Sequence, residues 1–217
     1  LLYLIYRDLF PHWAVDLGLL RRNSITHKLF QHIERNLLFA SDVIGVQSDG
    51  NVSIVKSVLG TTSKSIEVFD NWLSSQRELP TKIKLSETKL AGKDVFIYAG
   101  NMGVAQGIFT LLRIVELSKE NEEIGFLFVG RGTEFSYIQK FISENKLNNI
   151  LILDEIDTRE LKSMYRQCHA GLVALDKRHT SHNIPGKFLS YLHSGLPTLA
   201  LSNPGNDLAK IMKDFEV

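Results

Sequence analysis

From Val95 onward, short apolar runs alternate with segments whose apolar residues recur at helical spacing. Val95 to Ala99 reads as a strand, and Gln106 to Lys119 as a helix with Ile108, Leu111, Leu112 and Val115 on one face. The pattern repeats as strand Ile124 to Val129, helix Glu134 to Asn145, strand Ile150 to Leu153, and helix Asp157 to Gln167, whose Asp157 and Glu160 have capping-box spacing. Strand Gly171 to Leu175 follows, then helix Gly186 to Ser194 closed by Gly195 in the C-cap position, strand Thr198 to Leu201 and helix Asn206 to Lys213. Such βα units in series predict an α/β fold with a parallel sheet, because right-handed crossovers leave helices on both faces.

Ahead of Val95 the alternation is weaker. It gives a buried strand at Leu1 to Tyr6, a helix near His27 to Ala40, a strand at Val43 to Gln47, a short helix near Asp49 to Val58 and a strand at Ser65 to Phe69. Leu73 to Lys93 is polar, contains Pro80 and Gly92, and reads as a linker. The expected organisation is therefore an incomplete first α/β domain over residues 1–72, a linker over 73–93, and a nearly complete second α/β domain over 94–217, truncated at its end. With no initiating Met, the chain is expected to be an internal piece of a longer protein.

With 44% hydrophobic and 23% charged residues over 217 positions, the chain can bury a core, which excludes disorder and disulfide scaffolds. Its 25 Lys+Arg against 24 Asp+Glu leave a formal charge of +1, so no bulk field draws it to nucleic acid, and any anion must be held locally. Cys168 is the single cysteine, expected as a buried structural thiol at a helix end, in keeping with a reducing cytoplasm. The apolar opening is too short to span a bilayer and lacks the flanks of a signal peptide.

Three strand-to-helix turns carry candidate chemistry, all at the carboxyl edge of a parallel sheet, where ligands bind. Gly100-Asn-Met-Gly103 is the first. Gly130-Arg-Gly132 is the second, with two of the three glycines of a dinucleotide fingerprint and Phe135 in place of the third; such a partial match is weak, and a tight turn is the more frequent reason for glycines so placed. The third, Ile184-Pro-Gly-Lys187, opens a helix where free N–H groups and the Lys187 ammonium converge as an anionic phosphate requires; a solvated lysine in a first helical turn is the plainer alternative.

The run Ile184-Pro-Gly-Lys-Phe-Leu-Ser-Tyr-Leu-His-Ser-Gly-Leu-Pro197 resembles the P-(S/G)-K-x-x-E-Y-x-x-x-G-x-P segment of retaining, nucleotide-sugar-dependent glycosyltransferases of family 4, which have the two-domain GT-B fold. Tyr98 to Gly107 is similar to the start of that family's donor domain, and Phe126 to Gly132 to its next glycine turn. Tyr6-Arg-Asp-Leu-Phe-Pro11, Glu34 to Ser48 and Asp70-Asn-Trp72 are similar to parts of its acceptor domain. Within the family, the amino-sugar transferases of bacterial O-antigen and capsule assembly are the nearest in pattern. The resemblance implies a GT-B fold with the first domain incomplete, residues 1–72 being the second half of an N-terminal Rossmann-like domain and 94–217 a C-terminal one. It also implies transfer from a UDP-sugar to a lipid-diphosphate-linked saccharide with retention. It further implies no cofactor beyond the UDP-sugar co-substrate, a cytoplasmic location, and peripheral association with the inner membrane. Gly100, Asn101, Gly103, Gly130, Arg131, Pro185, Gly186, Lys187 and Ser190 are the expected nucleotide-sugar contacts. The catalytic side chain is unassigned, because relatives keep one in the Gly-rich start of the acceptor domain, which lies outside this sequence.

This chain departs from the pattern in three places. Ser190 stands where the family has a ribose-binding Glu, His182 at the motif's earlier acidic position, and Arg131 where relatives often carry Asp. These leave two further readings open, a non-catalytic nucleotide-binding subunit and a UDP-amino-sugar epimerase. Negative charge on a departing diphosphate needs stabilising. Asp154, Glu155 and Asp157 sit at a strand end and a helix cap and do not form an Asp-x-Asp pair, so the expectation is no metal, with Lys187, the helix start at Gly186 and the Gly100 to Gly103 amides supplying the charge. His12, His179 and His182 are polar candidates for acceptor or phosphate contacts, or surface loop residues.

Overall fold

The computed structural model describes residues 1–61 and 63–215. In chain order the elements are β1 (Tyr3–Ile5), α1 (His12–Asp16), α2 (Ile25–Ala40), β2 (Val43–Val46), α3 (Asp49–Leu59), β3 (Ser65–Val68), β4 (Asp94–Ala99), α4 (Ile108–Leu117), β5 (Ile124–Val129), α5 (Phe135–Glu144), β6 (Ile150–Leu153), α6 (Leu161–Tyr165), β7 (Ala170–Ala174), α7 (Gly186–His193), β8 (Thr198–Leu201) and α8 (Asp207–Asp214). They fall into two compact units. Of the described residues, the first comprises Leu1–Trp72, Lys177–Ile184 and 202–215; the second comprises Leu73–Asp176 and Pro185–Leu201.

The first unit is built on a parallel sheet in the order β1-β2-β3, with Tyr3 opposite Val43 and Val43 opposite Ser65. Ser24 starts α2 by accepting the His27 N–H at 3.1 Å, and Gly60, at φ +70°, ends α3. Leu38, Ile44, Val46, Val55 and Leu59 close the core between these helices and the sheet. Two segments expected in the second domain belong here. The Asp16 carboxylate accepts from the Thr180 N–H (2.8 Å) and hydroxyl (2.7 Å), Asn51 bonds both backbone groups of His182, and the Ser181 carbonyl accepts from Asn203 and Asn206. Asp207, at the start of α8, accepts the Gly50 N–H at 2.8 Å. These polar ties between residues far apart in sequence leave no periodic trace, so the hydrophobic pattern does not reveal them.

The second unit has five parallel strands in the order β6-β5-β4-β7-β8. Its core is formed by Tyr98, Met102, Leu111, Leu112, Val115, Phe126, Phe128 and Ile138, among others. The stretch 73–93 is part of this unit and not a free linker. Leu85 and Leu90 are buried, Gln167 bonds both the Leu85 N–H and the Ile83 carbonyl, and Arg166 pairs with Glu78. The helix expected over Asp157 to Gln167 is shorter, a 3-10 turn at Thr158–Glu160 leading into α6. Asp157 accepts the Arg159 N–H at 2.9 Å and also grips the Arg159 guanidinium. Cys168 is half-buried, and burial pushes its thiol up to about 12. The expected second-domain end at residues 216 and 217 lies outside the described residues. Among the described residues, no helix is long and apolar enough to cross a membrane.

Candidate functional site

The chain runs outward from β4 through β5 to β6, then returns to place β7 on β4's other side. The strand order therefore reverses between β4 and β7, and the turns leaving those strands diverge around a crevice at the carboxyl edge, the usual ligand position in an open parallel sheet.

Two glycine turns form one wall. Gly100 has φ +133°, Gly130 +146° and Gly132 +155°. The Gly100 N–H donates to the Val129 carbonyl at 2.9 Å, and the Met102 N–H to the Arg131 carbonyl at 2.7 Å, so the turns are laced backbone to backbone. A Cβ on Gly130 would stand 2.0 Å from the Gly100 oxygen, and one on Gly132 2.3 Å from the Met102 oxygen. Close approach of the two turns accounts for both glycines, and Phe135 can open α5 without a third. Gly103 has unexceptional φ; a Cβ there would stand 3.1 Å from the Asn101 amide nitrogen.

The helix α7 supplies the other wall. Tyr191 is fully buried, and its hydroxyl accepts the Ala99 N–H at 2.9 Å and reaches the Ile97 carbonyl at 3.2 Å. Only a glycine fits beneath it, since a Cβ on Gly171 would lie 2.4 Å from the ring. The helix is thereby pinned to β4 and β7. At its other end Pro185, extended at φ −65° and ψ 136°, precedes Gly186, and no side chain caps the first turn. The first amides remain available to an anion.

Lys187 is held within this site. Its Nζ donates to the Tyr98 hydroxyl at 2.8 Å and to Gln106 Oε1 at 2.7 Å, lies 4.1 Å from the Tyr98 ring centroid, and its stem passes beside Gly100. Tyr98 in turn donates to the Asn101 carbonyl at 2.6 Å, and burial holds its phenol protonated. The solvated-lysine alternative is thus set aside. Burial lowers the Lys187 ammonium to about 7, since its partners, the Tyr98 hydroxyl and ring and the Gln106 carboxamide, are neutral. An arriving anion would supply the missing countercharge.

Gly100, Asn101, Gly130 and Arg131 line a hollow of about 370 Å³ together with Glu155 and Ile156. It meets a second groove, of about 310 Å³, at Thr158 and Leu161, and that groove contains Ser190 and His193. The Ser190 hydroxyl donates back to the Gly186 carbonyl at 3.1 Å, leaving its lone pairs for a ligand hydroxyl. Gly103, Pro185, Gly186 and Lys187 do not line either hollow; the first three shape the turns beside them, and Lys187 lies behind the Gly100 turn. Arg131 is well exposed, with its Nε 3.0 Å from Glu155, so its charge is already matched at the rim. Asp157 is held down to about 2 by Arg159. Among the described residues no three His, Cys, Asp or Glu side chains gather as a metal site.

The three histidines lie in the first unit. His12 Nε2 is 3.2 Å from the buried carboxylate of Glu34, His182 Nδ1 is 3.2 Å from Asp207, and His179 is buried. Tyr98, Gln106 and Tyr191 shape the candidate site and were not among the expected contacts; Glu155, weighed in the sequence only as a metal carboxylate, lines the hollow. The signal available for the two tyrosines was a polar tip on an aromatic at a core-facing position, which needs a buried partner.

Two units, each built on a parallel sheet, define an α/β protein of the GT-B kind. The chain belongs to the family described as glycosyl transferases group 1, whose profile matches residues 81–214. It is 24% identical to the probable glycosyltransferase WbjE of Pseudomonas aeruginosa over 97% of this chain and 53% of that protein, so it spans about half the length of this curated relative. Three solved structures share its fold. S. aureus TarM, as a mutant in complex with fondaparinux, α-GlcNAc-glycerol and UDP, matches with a TM-score of 0.62 at 14% identity over 87% of this chain and 36% of that one. The pneumococcal O-GlcNAc transferase GtfA with UDP and GlcNAc gives 0.60 at 18% over 83% and 34%. A sucrose-phosphate synthase from Thermosynechococcus elongatus gives 0.67 at 15% over 95% and 51%.

Proposed function

We propose that the whole protein is a glycosyltransferase that moves a sugar from a UDP-sugar to a lipid-diphosphate-linked saccharide, with retention and without a metal, at the cytoplasmic face of the inner membrane. The observation that carries this reading is the half-buried Lys187 ammonium, held by the neutral Tyr98 hydroxyl and Gln106 carboxamide beside the uncapped start of α7 and the Gly100 turn. A diphosphate there gains a charge-assisted bond from Lys187 and backbone donors at the helix start, and both strengthen as negative charge grows on the leaving oxygen. The UDP in the TarM and GtfA complexes and the name given to the P. aeruginosa relative support the same class of donor and reaction. On this reading the second unit takes the donor and the first faces the acceptor, and the amino-sugar transferases of family 4 are the model for substrate choice. The test is release of UDP from a UDP-sugar panel by the full-length protein with and without a prenyl-diphosphate-linked saccharide. Acceptor-dependent release supports transfer, and acceptor-independent interconversion of UDP-amino sugars would favour an epimerase.

The short hydroxyl of Ser190 in place of a carboxylate favours a second reading, a nucleotide-binding subunit without turnover. If Ser190 faces the ribose, Ser190→Glu is expected to tighten UDP by about tenfold, the worth of roughly 1.5 kcal/mol for a hydrogen bond to a charged group. Calorimetry on wild type and variant decides it. A variant that binds no better means that position 190 does not meet the ribose.

A further inference from the structure

The carboxyl edge of the first unit carries an arrangement that donor binding leaves unused. Arg7 follows β1, and Asn71 and Trp72 follow β3, so the chain brings them together over the end of β2. The Arg7 Nη2 donates to Asn71 Oδ1, and its guanidinium carbon lies 5.2 Å from the centroid of the Trp72 ring. The Asn71 carboxamide is bonded at both its oxygen and its nitrogen. Its oxygen also accepts the Trp72 N–H at 3.1 Å, and its nitrogen donates to the Ile184 carbonyl at 3.2 Å. Phe69 braces the indole edge-on at 5.4 Å. Yet Trp72 stays 53% exposed.

A flat indole held rigid and left in water is a platform for the C–H face of a pyranose. A guanidinium fixed beside it by an amide and a ring, with most of its five donors unspent, suits an anionic oxygen or a fork of hydroxyls. We infer that Arg7, Asn71 and Trp72 form a saccharide-binding subsite for a pyranose that carries a phosphate. This deepens the proposed function by giving the acceptor a place on the first unit, and it rests on that reading only for the acceptor's role in transfer.

The experiment is calorimetry on the full-length protein saturated with UDP, so that the donor site is filled, using α-D-glucose 1-phosphate and N-acetyl-α-D-glucosamine 1-phosphate as probes. At least one is expected to bind. Trp72→Leu, which keeps bulk but loses the ring face, and Arg7→Met, which keeps the stem but loses the charge, are each expected to weaken it by about tenfold. Methyl α-D-glucoside should be weakened by Trp72→Leu only, and inorganic phosphate by Arg7→Met only. Tighter binding of the same sugar as a prenyl diphosphate in phosphatidylcholine vesicles would assign a lipid-linked ligand, and equal or weaker binding a soluble one. The inference is overturned if neither sugar phosphate binds, or if both variants bind as wild type while keeping its urea midpoint; Arg7 then merely packs the loop. Failure of UDP itself to bind would sink the proposed donor site instead, a separate result.

Discussion

Replacing Lys187 by methionine is expected to weaken UDP by about a hundredfold while leaving uridine unchanged. The substitution keeps the stem beside Gly100 and removes the charge that bonds Tyr98 and Gln106. A hydrogen bond to a charged group contributes about 1.5–3 kcal/mol, and the upper part of that range applies where water is excluded. The pH dependence carries the same signature. Burial holds the free ammonium at about 7, and a bound diphosphate raises it, so above pH 7 binding must take up a proton. Wild-type affinity is expected to fall toward tenfold per pH unit on the alkaline side, and the Met variant's to stay flat. Stability moves the other way. The folded value lies below the ordinary 10.5, so between about 7 and 10.5 the unfolded chain holds more protons, and rising pH favours the folded protein. Relative to the Met variant, wild type should gain urea resistance across that window, and below pH 7 its disadvantage should be fully present. Parallel loss of UDP and uridine, or a pH profile shared by both proteins, would return Lys187 to the role of a surface cation.

The parallel strands of the second unit were legible because apolar runs between turn residues have few other uses. Ile124–Val129, Ile150–Leu153 and Thr198–Leu201 fall where the pattern puts them. Gly195 ends α7 for a local reason: it takes φ +66°, and its N–H returns to the Leu192 carbonyl at 2.9 Å. What stayed hidden is what polar atoms do at long range. The strap at 177–184 belongs to the first unit through Asp16, Asn51, Asn203 and Asn206, residues of the kind that fill any surface loop. The stretch 73–93 looked like a linker because Leu85 and Leu90 are too few to make a period, although both are buried. At the site, the sequence offered Lys187 a phosphate or open water, and spacing could not choose. What draws its ammonium inward is Tyr98, whose place in an apolar run disguised its hydroxyl, and Gln106, whose side chain reaches back from a 3-10 turn.

Gly130→Ala is expected to destabilise the protein by on the order of 3 kcal/mol and to abolish UDP binding at concentrations that saturate wild type. Two costs coincide there. At φ +146° an L side chain is strained, and its Cβ would stand 2.0 Å from the Gly100 carbonyl oxygen, a backbone atom that cannot swing aside as a side chain would. Relief requires the Gly100 turn to withdraw from β5, which breaks the bonds from Gly100 to Val129 and from Met102 to Arg131. That turn also carries the Asn101 carbonyl to which Tyr98 donates, and Tyr98 holds the Lys187 ammonium, so the damage passes to the residues proposed to hold the diphosphate. Gly195→Ala is the control. It shares a positive φ, +66°, but a Cβ there meets nothing within 4 Å, so its cost is the conformational one alone, about 1 kcal/mol, with UDP binding retained. Urea unfolding and calorimetry on the two variants separate strain from collision. Equal losses of stability would mean that the two glycine turns do not approach each other, and the wall built from them would have to be redrawn.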